Sequence, residues 1–408
     1  MFLKKLSWII INLILLITAI SSFSLAKLLT IEPSESYSTL HPVDMVWDPT
    51  HQKIIIISNT ESESGEPHPL LWYFSKDGLP IQEKIITQPG IGFIMKGQYL
   101  NKGQLILISR IKARNNKNQL TDTKVSILTT NQENYFNTIT TLKDLDLSFN
   151  NDLFIDEEGE KITILGGTHS FPLNDNNNRD DWDIFLHCIT SNGDRVWTSI
   201  IGNPEDDVLG QVVGLNQFSY IVHSTWVPGK KWNIQLTILN ELGKMISQKT
   251  ILAGKGSDLV NKMIKVDNSH VILVGTTDSD ESYLGIARGN TDLFIMKCDI
   301  EGNINWFRRF GGKYNDIGTN ILLDTNGIIW VSGMTESKDG DIVGNQGGWD
   351  IWVLQLNKNG DLLQSRCYGT PNNEQPINMV QAEDDIWLLG MTQVTDTKSQ
   401  PLLILLND

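Results

Sequence analysis

The chain has 408 residues, 40% of them hydrophobic and 20% charged, so it can bury a core and is not a disordered chain. Its formal net charge is −15 and it has no basic arm, so we expect no nucleic-acid partner. Only three Cys are present, which disfavours a disulfide scaffold and a Cys-ligated metal protein.

The N-terminal segment 1–26 has the pattern of an export signal. Lys4 and Lys5 precede an apolar run, and the small residues Ser24 and Ala26 follow it. We predict a signal peptide at 1–26 that is cleaved after Ala26. An uncleaved anchor is the alternative, since 6–26 is just long enough to span a bilayer. Residues 27–408 would then form one exported domain, periplasmic or secreted, with no membrane contact beyond this signal.

A repeat organises the rest of the chain. In two copies, an Asp, a turn Gly and a Trp follow one another at the same spacing. These are Asp183, Gly193 and Trp197, and then Asp292, Gly302 and Trp306. A third copy runs from Asp350 to Gly360, and a weaker one from Asn233 to Gly243.

Each copy continues with two apolar strands separated by a polar turn, the second usually ending in Gly-x-Thr, as at 328–335. A unit therefore holds four short strands, with almost no helical periodicity. The turn glycines stand at positions 193, 243, 302 and 360, so one unit separates each from the next. Four strands at that period indicate a β-propeller blade.

The inner hairpin of each blade, formed by its A and B strands, occurs seven times. These hairpins lie near 43–58, 91–109, 149–168, 208–224, 258–276, 317–335 and 377–392. The last blade lacks an outer D strand after 401–406, and the segment 28–31 supplies one. We predict an all-β fold, a seven-bladed propeller of four-stranded antiparallel blades, closed by pairing of the terminal strands. A β-sandwich needs no fixed repeat, and a β-helix has shorter coils.

Most of the twelve Trp recur in register with the strands, so we interpret them as packing between blades. Trp226 is the exception: it lies in a polar loop and is the Trp with the strongest case for ligand contact. Cys188, Cys298 and Cys367 fall in predicted strands and are interpreted as buried thiols.

Three aspartates, Asp207, Asp258 and Asp316, occur where one blade passes to the next. They would surround the mouth of the central channel. A converging ring of carboxylates could hold a hard cation such as calcium. The alternative is that each Asp accepts backbone N–H bonds of its own turn, as Asp commonly does.

The loops between B and C strands project on that same end of the propeller and differ in length, which favours them as a binding surface. The candidate binding residues are Trp226, Lys230, Lys231, Asp278, Asp280, Glu281, Asp339 and Asp341. Acidic loops in blades one, five and six and basic loops in blades two and four would divide this end into two charged sectors. Ordinary solvated loops are the alternative.

The segments 306–317, 333–341 and 348–352 resemble the β-propeller repeat of exported bacterial proteins. In that family W-x-x-x-F-G-G-x-x-x-D precedes an inner hairpin ending in G-x-T-x-S-x-D-G-D, and D-x-W-V-x-K-L-D-x-x-G follows. Blades three to six match best, about half of the chain. The resemblance implies a propeller and an exported location, and it transfers no catalytic residue.

We therefore expect a non-catalytic propeller that binds a protein or a glycan, or acts as a scaffold, and that is monomeric. The alternative is a propeller enzyme, a polysaccharide hydrolase or lyase, with Asp207, Asp258 and Asp316 as its carboxylates. A structural subunit of the cell envelope is a third possibility. No cofactor is expected, apart from the weak calcium candidate.

Overall fold

The computed structural model describes residues 28–31, 40–61, 67–86, 91–100, 104–114, 120–130, 136–142, 152–156, 159–169, 181–229, 231–280, 284–395 and 398–406. The predicted signal segment 1–26 lies outside these residues, and so do Lys230 and Glu281 of the predicted binding set. Within the described ranges, no helix has the length and apolar character needed to cross a membrane.

The described residues form 28 strands in seven four-stranded sheets, with every neighbouring pair antiparallel. The first strand is β1 (Leu28–Thr30). Blade one holds β2 (Leu40–Asp48), β3 (Lys53–Glu61), β4 (Pro67–Ser75) and β5 (Pro80–Ile85). Blade two holds β6 (Phe93–Leu100), β7 (Gln104–Arg114), β8 (Leu120–Thr130) and β9 (Phe136–Leu142). Blade three holds β10 (Asp152–Ile155), β11 (Lys161–His169), β12 (Trp182–Thr190) and β13 (Arg195–Ile201).

Blade four holds β14 (Asp207–Leu215), β15 (Phe218–Val227), β16 (Lys231–Leu239) and β17 (Met245–Leu252). Blade five holds β18 (Asp258–Lys265), β19 (His270–Thr277), β20 (Asp292–Asp299) and β21 (Ile304–Phe310). Blade six holds β22 (Asp316–Leu323), β23 (Ile329–Thr335), β24 (Asp350–Leu356) and β25 (Leu362–Tyr368). The seventh sheet holds β26 (Glu374–Ala382), β27 (Asp385–Thr395) and β28 (Lys398–Leu405), and its fourth strand is β1.

The predicted all-β propeller with four-stranded antiparallel blades is confirmed. Each inner strand packs beside the inner strand of the next sheet, in the order β2, β6, β10, β14, β18, β22 and β26, and β26 also packs beside β2. The buried hydrophobic side chains form clusters between neighbouring sheets, with Trp352 and Trp387 among the largest that are fully buried.

The turn Gly of one blade packs against the Trp of the preceding blade. Gly243 lies in the turn between the C and D strands of blade four, and a Cβ there would lie 2.6 Å from the ring of Trp197 on the D strand of blade three. Gly360 of blade six meets Trp306 of blade five in the same way, at 2.9 Å. Both glycines also have positive φ, which disfavours other residues. The tryptophan of one blade thus packs against the hairpin turn of the next blade.

The junction between the seventh sheet and blade one involves both ends of the chain. Strand β1 pairs with β28, with Leu29 opposite Leu403. The indole of Trp387 lies beneath Gly78 and donates to the carbonyl of Lys76 at 3.1 Å. Leu29, Leu403 and Trp387 belong to one buried cluster with side chains of blade one.

The three cysteines are free and buried, as predicted. Trp349 immediately precedes β24, which begins at Asp350, and so is an exception to the Trp that recur in register with the strands.

Candidate functional site

Asp316 is buried in a polar clasp that joins two blades. Its Oδ1 accepts a hydrogen bond from the Thr335 hydroxyl, and its Oδ2 accepts one from Ser337 at 2.9 Å. Oδ2 also accepts the N–H of Gly312, which lies in the turn arriving from blade five, at 2.7 Å. The carboxylate therefore ties the incoming turn to the end of the B strand of blade six, and its side chain is 0% exposed.

The same clasp recurs at three other junctions. Asp258 binds the hydroxyl of Thr277 at 2.6 Å and the N–H of Gly254 at 2.9 Å. Asp207 binds the Thr225 hydroxyl and the N–H of Asn203, and the ring of His223 lies 3.0 Å away. At the start of the seventh sheet, Glu374 replaces Asp and binds Thr370 and Thr392. Thr277, Thr335 and Thr392, each the last residue of a Gly-x-Thr motif, thus donate their hydroxyls to the carboxylate that begins the A strand of the same blade.

A second carboxylate, an Asp of the repeat that was not predicted as a site residue, adjoins the clasp at three of the described junctions. Asp292 begins the C strand of blade five, and a Cβ on Gly311 would press against its Oδ1 and lie 2.9 Å from Oδ2 of Asp316. Gly369 meets Asp350 closely, and Gly202 meets Asp183. The same sequence separation divides each Asp from its clasp carboxylate: Asp183 from Asp207, Asp292 from Asp316, and Asp350 from Glu374. That constant spacing is the sequence signal for the pair.

Burial raises the pKa of two of these carboxyl groups. The pKa of Asp316 is raised to about 6 by burial, and the nearby charge of Asp292 adds to the effect, against the lowering influence of its hydrogen bonds. Burial also raises the pKa of Asp350 to about 6, and the charge of Glu374 contributes. These groups take up protons in a range where ordinary carboxyls are ionised.

This shift predicts that the native state gains stability on acidification at Asp316. The native pKa lies above the value of about 3.9 for an unfolded Asp, so the native state binds more protons between these values. The contribution is fully present below about pH 4 and is lost as the pH rises through 6, and it amounts to about 1–3 kcal/mol. Urea unfolding at pH 5 and pH 7 should show a smaller pH difference for Asp316→Asn than for the wild type. Asp361→Asn, on an exposed turn, is the control. An unchanged pH difference in Asp316→Asn would contradict this assignment.

The three predicted metal ligands are not brought together. Asp207, Asp258 and Asp316 each bind within their own junction, and all are 0% exposed. Among the described residues, no group of three or more His, Cys, Asp or Glu has the arrangement of a metal site. The interpretation as turn acceptors accounts for their contacts, and calcium binding stays a prediction.

The predicted loop position of Trp226 is wrong. It lies on β15, paired with Trp232 on β16, because the hairpin extends to the pair Val227 and Lys231. The two indoles meet edge to face, with centroids 5.4 Å apart, so part of the Trp226 surface is covered. The indole is partly exposed.

The described contacts do not show the predicted separation into acidic and basic sectors. Lys231 of blade four forms an ion pair with Asp278 of blade five at 3.0 Å. Arg288 pairs with Asp341 at 3.1 Å within the predicted acidic sector. Neighbouring loops of opposite charge attract, so charges pair across blades.

Several predicted binding carboxylates hold the loops in shape. Asp278 accepts the N–H of Ser257, Asp339 accepts that of Lys313 at 2.8 Å, and Asp341 accepts that of Gly311 at 3.1 Å. Each bond ties a B–C loop to the adjoining D–A turn. Asp280 is exposed. Asp278, Asp339 and Asp341 therefore have a structural role in these loops.

Sequence reasoning missed the apolar side chains at this end of the propeller. The described B–C loops and D–A turns of blades five and six, residues 278–280, 284–291, 311–315 and 336–349, are called the loop face below. Here Ile286 is 86% exposed, Val343 61% and Tyr314 48%. These residues lie on segments joined by the Asp339, Asp341 and Arg288 contacts and by a hydrogen bond from Asn290 N–H to the Tyr314 carbonyl at 3.2 Å.

Sequence reasoning also missed a central cavity of about 520 Å³. It is lined by inner strands of all seven sheets, from β2 to β26. Each of the seven inner strands carries one polar residue at an equivalent position in its pairing with the B strand. They are Asp44, Lys96, Asp152, Gln211, Lys262, Asn320 and Asn378. We call these seven residues the channel ring.

The channel ring combines two ion pairs. Lys96 lies 3.2 Å from Asp44, and Lys262 lies 3.3 Å from Asp152. Asp44 also accepts Gly97 N–H and the Asn378 amide, and Asp152 accepts Val212 N–H. Each carboxylate therefore bonds to the backbone of the next blade, whereas the two ammonium groups face the cavity.

The known proteins that resemble this chain share its fold but identify no family. No family model matches the chain. The Caulobacter vibrioides regulatory protein FlaEY is 29% identical over 96 residues, which is 22% of this chain and 10% of that protein. This match is too short to show a family.

Solved structures agree on the propeller. The Pyrococcus horikoshii acylaminoacyl peptidase superposes with a TM-score of 0.52 at 9% identity, over 91% of this chain and 53% of the peptidase. The polysaccharide lyase Uly1 gives 0.53 at 9% identity, over 90% of each chain. The β-propeller domain of the Pyrococcus furiosus Trilobed protease gives 0.50 at 9%, over 91% of this chain and 99% of that one. This chain spans about half the length of the acylaminoacyl peptidase. Identities this low show a shared fold alone.

Proposed function

We propose that this chain is an exported, non-catalytic β-propeller that binds a protein partner on the loop face. The observation that carries the proposal is the exposure of Ile286, Tyr314 and Val343 on loops that carboxylate-to-backbone bonds hold in place. Exposed apolar side chains on a rigid scaffold are typical of protein-binding surfaces. A preformed surface also loses little conformational entropy on binding.

The chemistry of the loop face favours a protein over a glycan. Two of its three exposed apolar residues, Ile286 and Val343, are aliphatic, and aliphatic side chains pack against apolar anchors of a partner. A sugar platform would need an open aromatic face. Trp226, the aromatic residue predicted for that role, has part of its surface covered by Trp232.

The junction carboxylates support a non-catalytic role. A catalytic acid and base must reach the substrate, whereas Asp292 and Asp316 are 0% exposed. The pair also recurs at the junctions beginning with Asp183 and Asp350, so its repetition points to architecture rather than to a single active site. The alternative, a polysaccharide hydrolase or lyase, predicts turnover on a polysaccharide panel that Asp316→Asn abolishes while the protein stays folded.

We infer a monomeric ring of seven blades, formed by residues 27–408 and closed by β1 on β28, with 1–26 as its export signal, cleaved or retained. The pairing of Leu29 with Leu403 supports closure, as does the contact of Trp387 with Gly78. The partial match to FlaEY, a regulatory protein, is in keeping with a role in recognition.

Peptide selection tests the loop face directly. Peptides from a random displayed library, selected on the wild-type protein, should bind Ile286→Asp and Val343→Asp about tenfold more weakly, because a charge disrupts an apolar contact. Leu363→Asp is the matched control, since Leu363 is 54% exposed on the outer strand of blade six. Equally weakened peptide binding in Leu363→Asp, or unchanged binding in the two loop variants, would contradict the proposal. A selection that returns no binding peptide would also contradict it.

A further inference from the structure

Arg309 is a buried cation beneath the blade-five part of the loop face. It lies near the end of β21, and its side chain is 2% exposed. Its Nε–H donates a hydrogen bond to Oδ2 of Asp292, whose side chain is 0% exposed. A guanidinium group holds five N–H donors in one rigid plane, so it directs further hydrogen bonds at fixed angles. The ion pair can therefore fix the position of the chain around it.

The loop that presents Ile286 is bonded to this ion pair on both sides of Ile286. Before it along the chain, Nη1 of Arg309 donates to the carbonyl of Ser279. After it, the N–H of Arg288 donates to Oδ2 of Asp292 at 2.9 Å. Both ends of the loop are therefore held by the same two buried side chains.

The backbone beside Ile286 packs on the arginine stem. Gly285 has a φ of 84°, which a residue with a side chain rarely adopts. A Cβ there would lie 3.8 Å from the Cβ of Arg309. Ile286 follows directly in the chain and is 86% exposed. The loop thus turns over the buried arginine and leaves its apolar side chain in solvent.

No residue like Arg309 occurs at the equivalent position of blades three, four and six. Arg309 lies opposite Phe294, and its distance from the turn Gly identifies its counterparts. They are Ile200 opposite Phe185, Thr250 opposite Gln235, and Cys367 opposite Trp352. None of these side chains is a cation, so the repeat itself does not require one. The arginine therefore serves a feature that is specific to blade five.

The energetics of a buried ion pair favour a role in shape over a role in stability. Removing two charges from water can cost as much as their attraction returns, and apolar replacements of such pairs are often neutral. The directed bonds of Arg309 instead hold Ser279 and the loop in one conformation. A loop that is already in its binding conformation loses little entropy when a partner binds. The ion pair thus favours binding by a preformed loop.

We propose that Arg309 is the positioning residue that holds the blade-five loop in the conformation that presents Ile286. The arginine is too deeply buried to touch a partner, so it acts on binding only through the loop. Asp292 supplies the opposite charge and binds the far end of the loop through the Arg288 N–H. This inference rests on the proposed function, since it takes the loop face as the binding surface.

Hydrogen exchange of the free protein tests the positioning role. The double variant Arg309→Met/Asp292→Asn leaves no unpaired buried charge, so it should stay folded. The amides of residues 284–291 should exchange about tenfold faster than in the wild type, because loop opening no longer breaks the bonds of the guanidinium group. Arg308→Met is the matched control, since the neighbouring Arg308 bonds to the Asn359 carbonyl of blade six at 3.0 Å. It should leave the exchange at 284–291 unchanged.

Binding kinetics separate positioning from direct contact. For a peptide selected on the wild-type protein, the double variant should lower the association rate constant about fivefold, because fewer molecules hold the loop in its binding conformation. The dissociation rate constant should change less than about twofold. Ile286→Asp, which removes a contact, should mainly raise the dissociation rate constant.

Three results would overturn the positioning role. They are unchanged exchange at 284–291 in the folded double variant, equally faster exchange there in Arg308→Met, and a changed dissociation rate constant with unchanged association. The exchange measurement needs no peptide, so its failure contradicts the positioning role alone. A peptide selection that returns no binder contradicts the proposed function alone.

Discussion

Replacing Asp316 by Ala should lower the free energy of unfolding by about 3 kcal/mol, because the change leaves several buried hydrogen-bonding groups without a partner. The carboxylate accepts bonds from Gly312 N–H and from the hydroxyls of Thr335 and Ser337, at a site that is 0% exposed. An unsatisfied buried donor costs about 1–3 kcal/mol. Urea unfolding followed by Trp fluorescence measures the loss. Asp280→Ala, at an exposed loop residue, should change the free energy of unfolding by less than about 0.5 kcal/mol.

The same variants separate the clasp from a calcium site. A clasp that only bonds to protein groups predicts equal melting temperatures for the wild type in calcium and in a chelator. A ligand that binds the native state would raise the melting temperature with its concentration. Calcium-dependent stabilisation that disappears in Asp316→Ala would contradict the architectural role and favour the metal.

Replacing Trp387 by Ala should have the second large effect, a loss of about 3–5 kcal/mol in the free energy of unfolding. Its side chain is 0% exposed between the seventh sheet and blade one, and its indole N–H donates to the Lys76 carbonyl. The substitution removes a large apolar contact and leaves a cavity beneath Gly78. Chemical denaturation measures the loss.

Native-state hydrogen exchange locates that effect. In Trp387→Ala, amides of β1, β28 and β2 should lose protection before those of blades three to five, because the lost contact joins the two ends of the chain. Trp387→Phe, which keeps most of the volume, should retain a larger part of the stability. Uniform loss of protection in every blade would contradict a local role at this junction.

The fold was predictable because its determinants are local and repeated. Gly-x-Thr ends the inner hairpins of blades three, five, six and seven, and the turn Gly before the D strand recurs in blades three to six. In blades five, six and seven the Thr hydroxyl binds the carboxylate that begins the same hairpin, and Gly243 and Gly360 leave room for Trp197 and Trp306 of the preceding blade. A structural feature that several blades share therefore appears several times in the sequence.

The site was less predictable because its residues meet across blades. Asp292 and Asp316 belong to different blades, and only their constant sequence separation, shared with the other pairs, indicates that they adjoin. The channel ring needs the strand register, since Lys262 pairs with Asp152 of a blade far away in the sequence. For Trp226, the polar residues after it suggested a long loop, whereas Pro228 and Gly229 lie in a tight turn at the end of a long hairpin.

We propose the loop face of blades five and six as the recognition surface. Hydrogen-exchange mass spectrometry of the wild-type protein, with and without a peptide selected on it, tests this most directly. We predict that added protection is confined to residues 284–291, 311–315 and 336–349, where Ile286, Tyr314 and Val343 are exposed. Protection confined to the outer D strands, or to the hairpin turns at the opposite end of the blades, would contradict the claim.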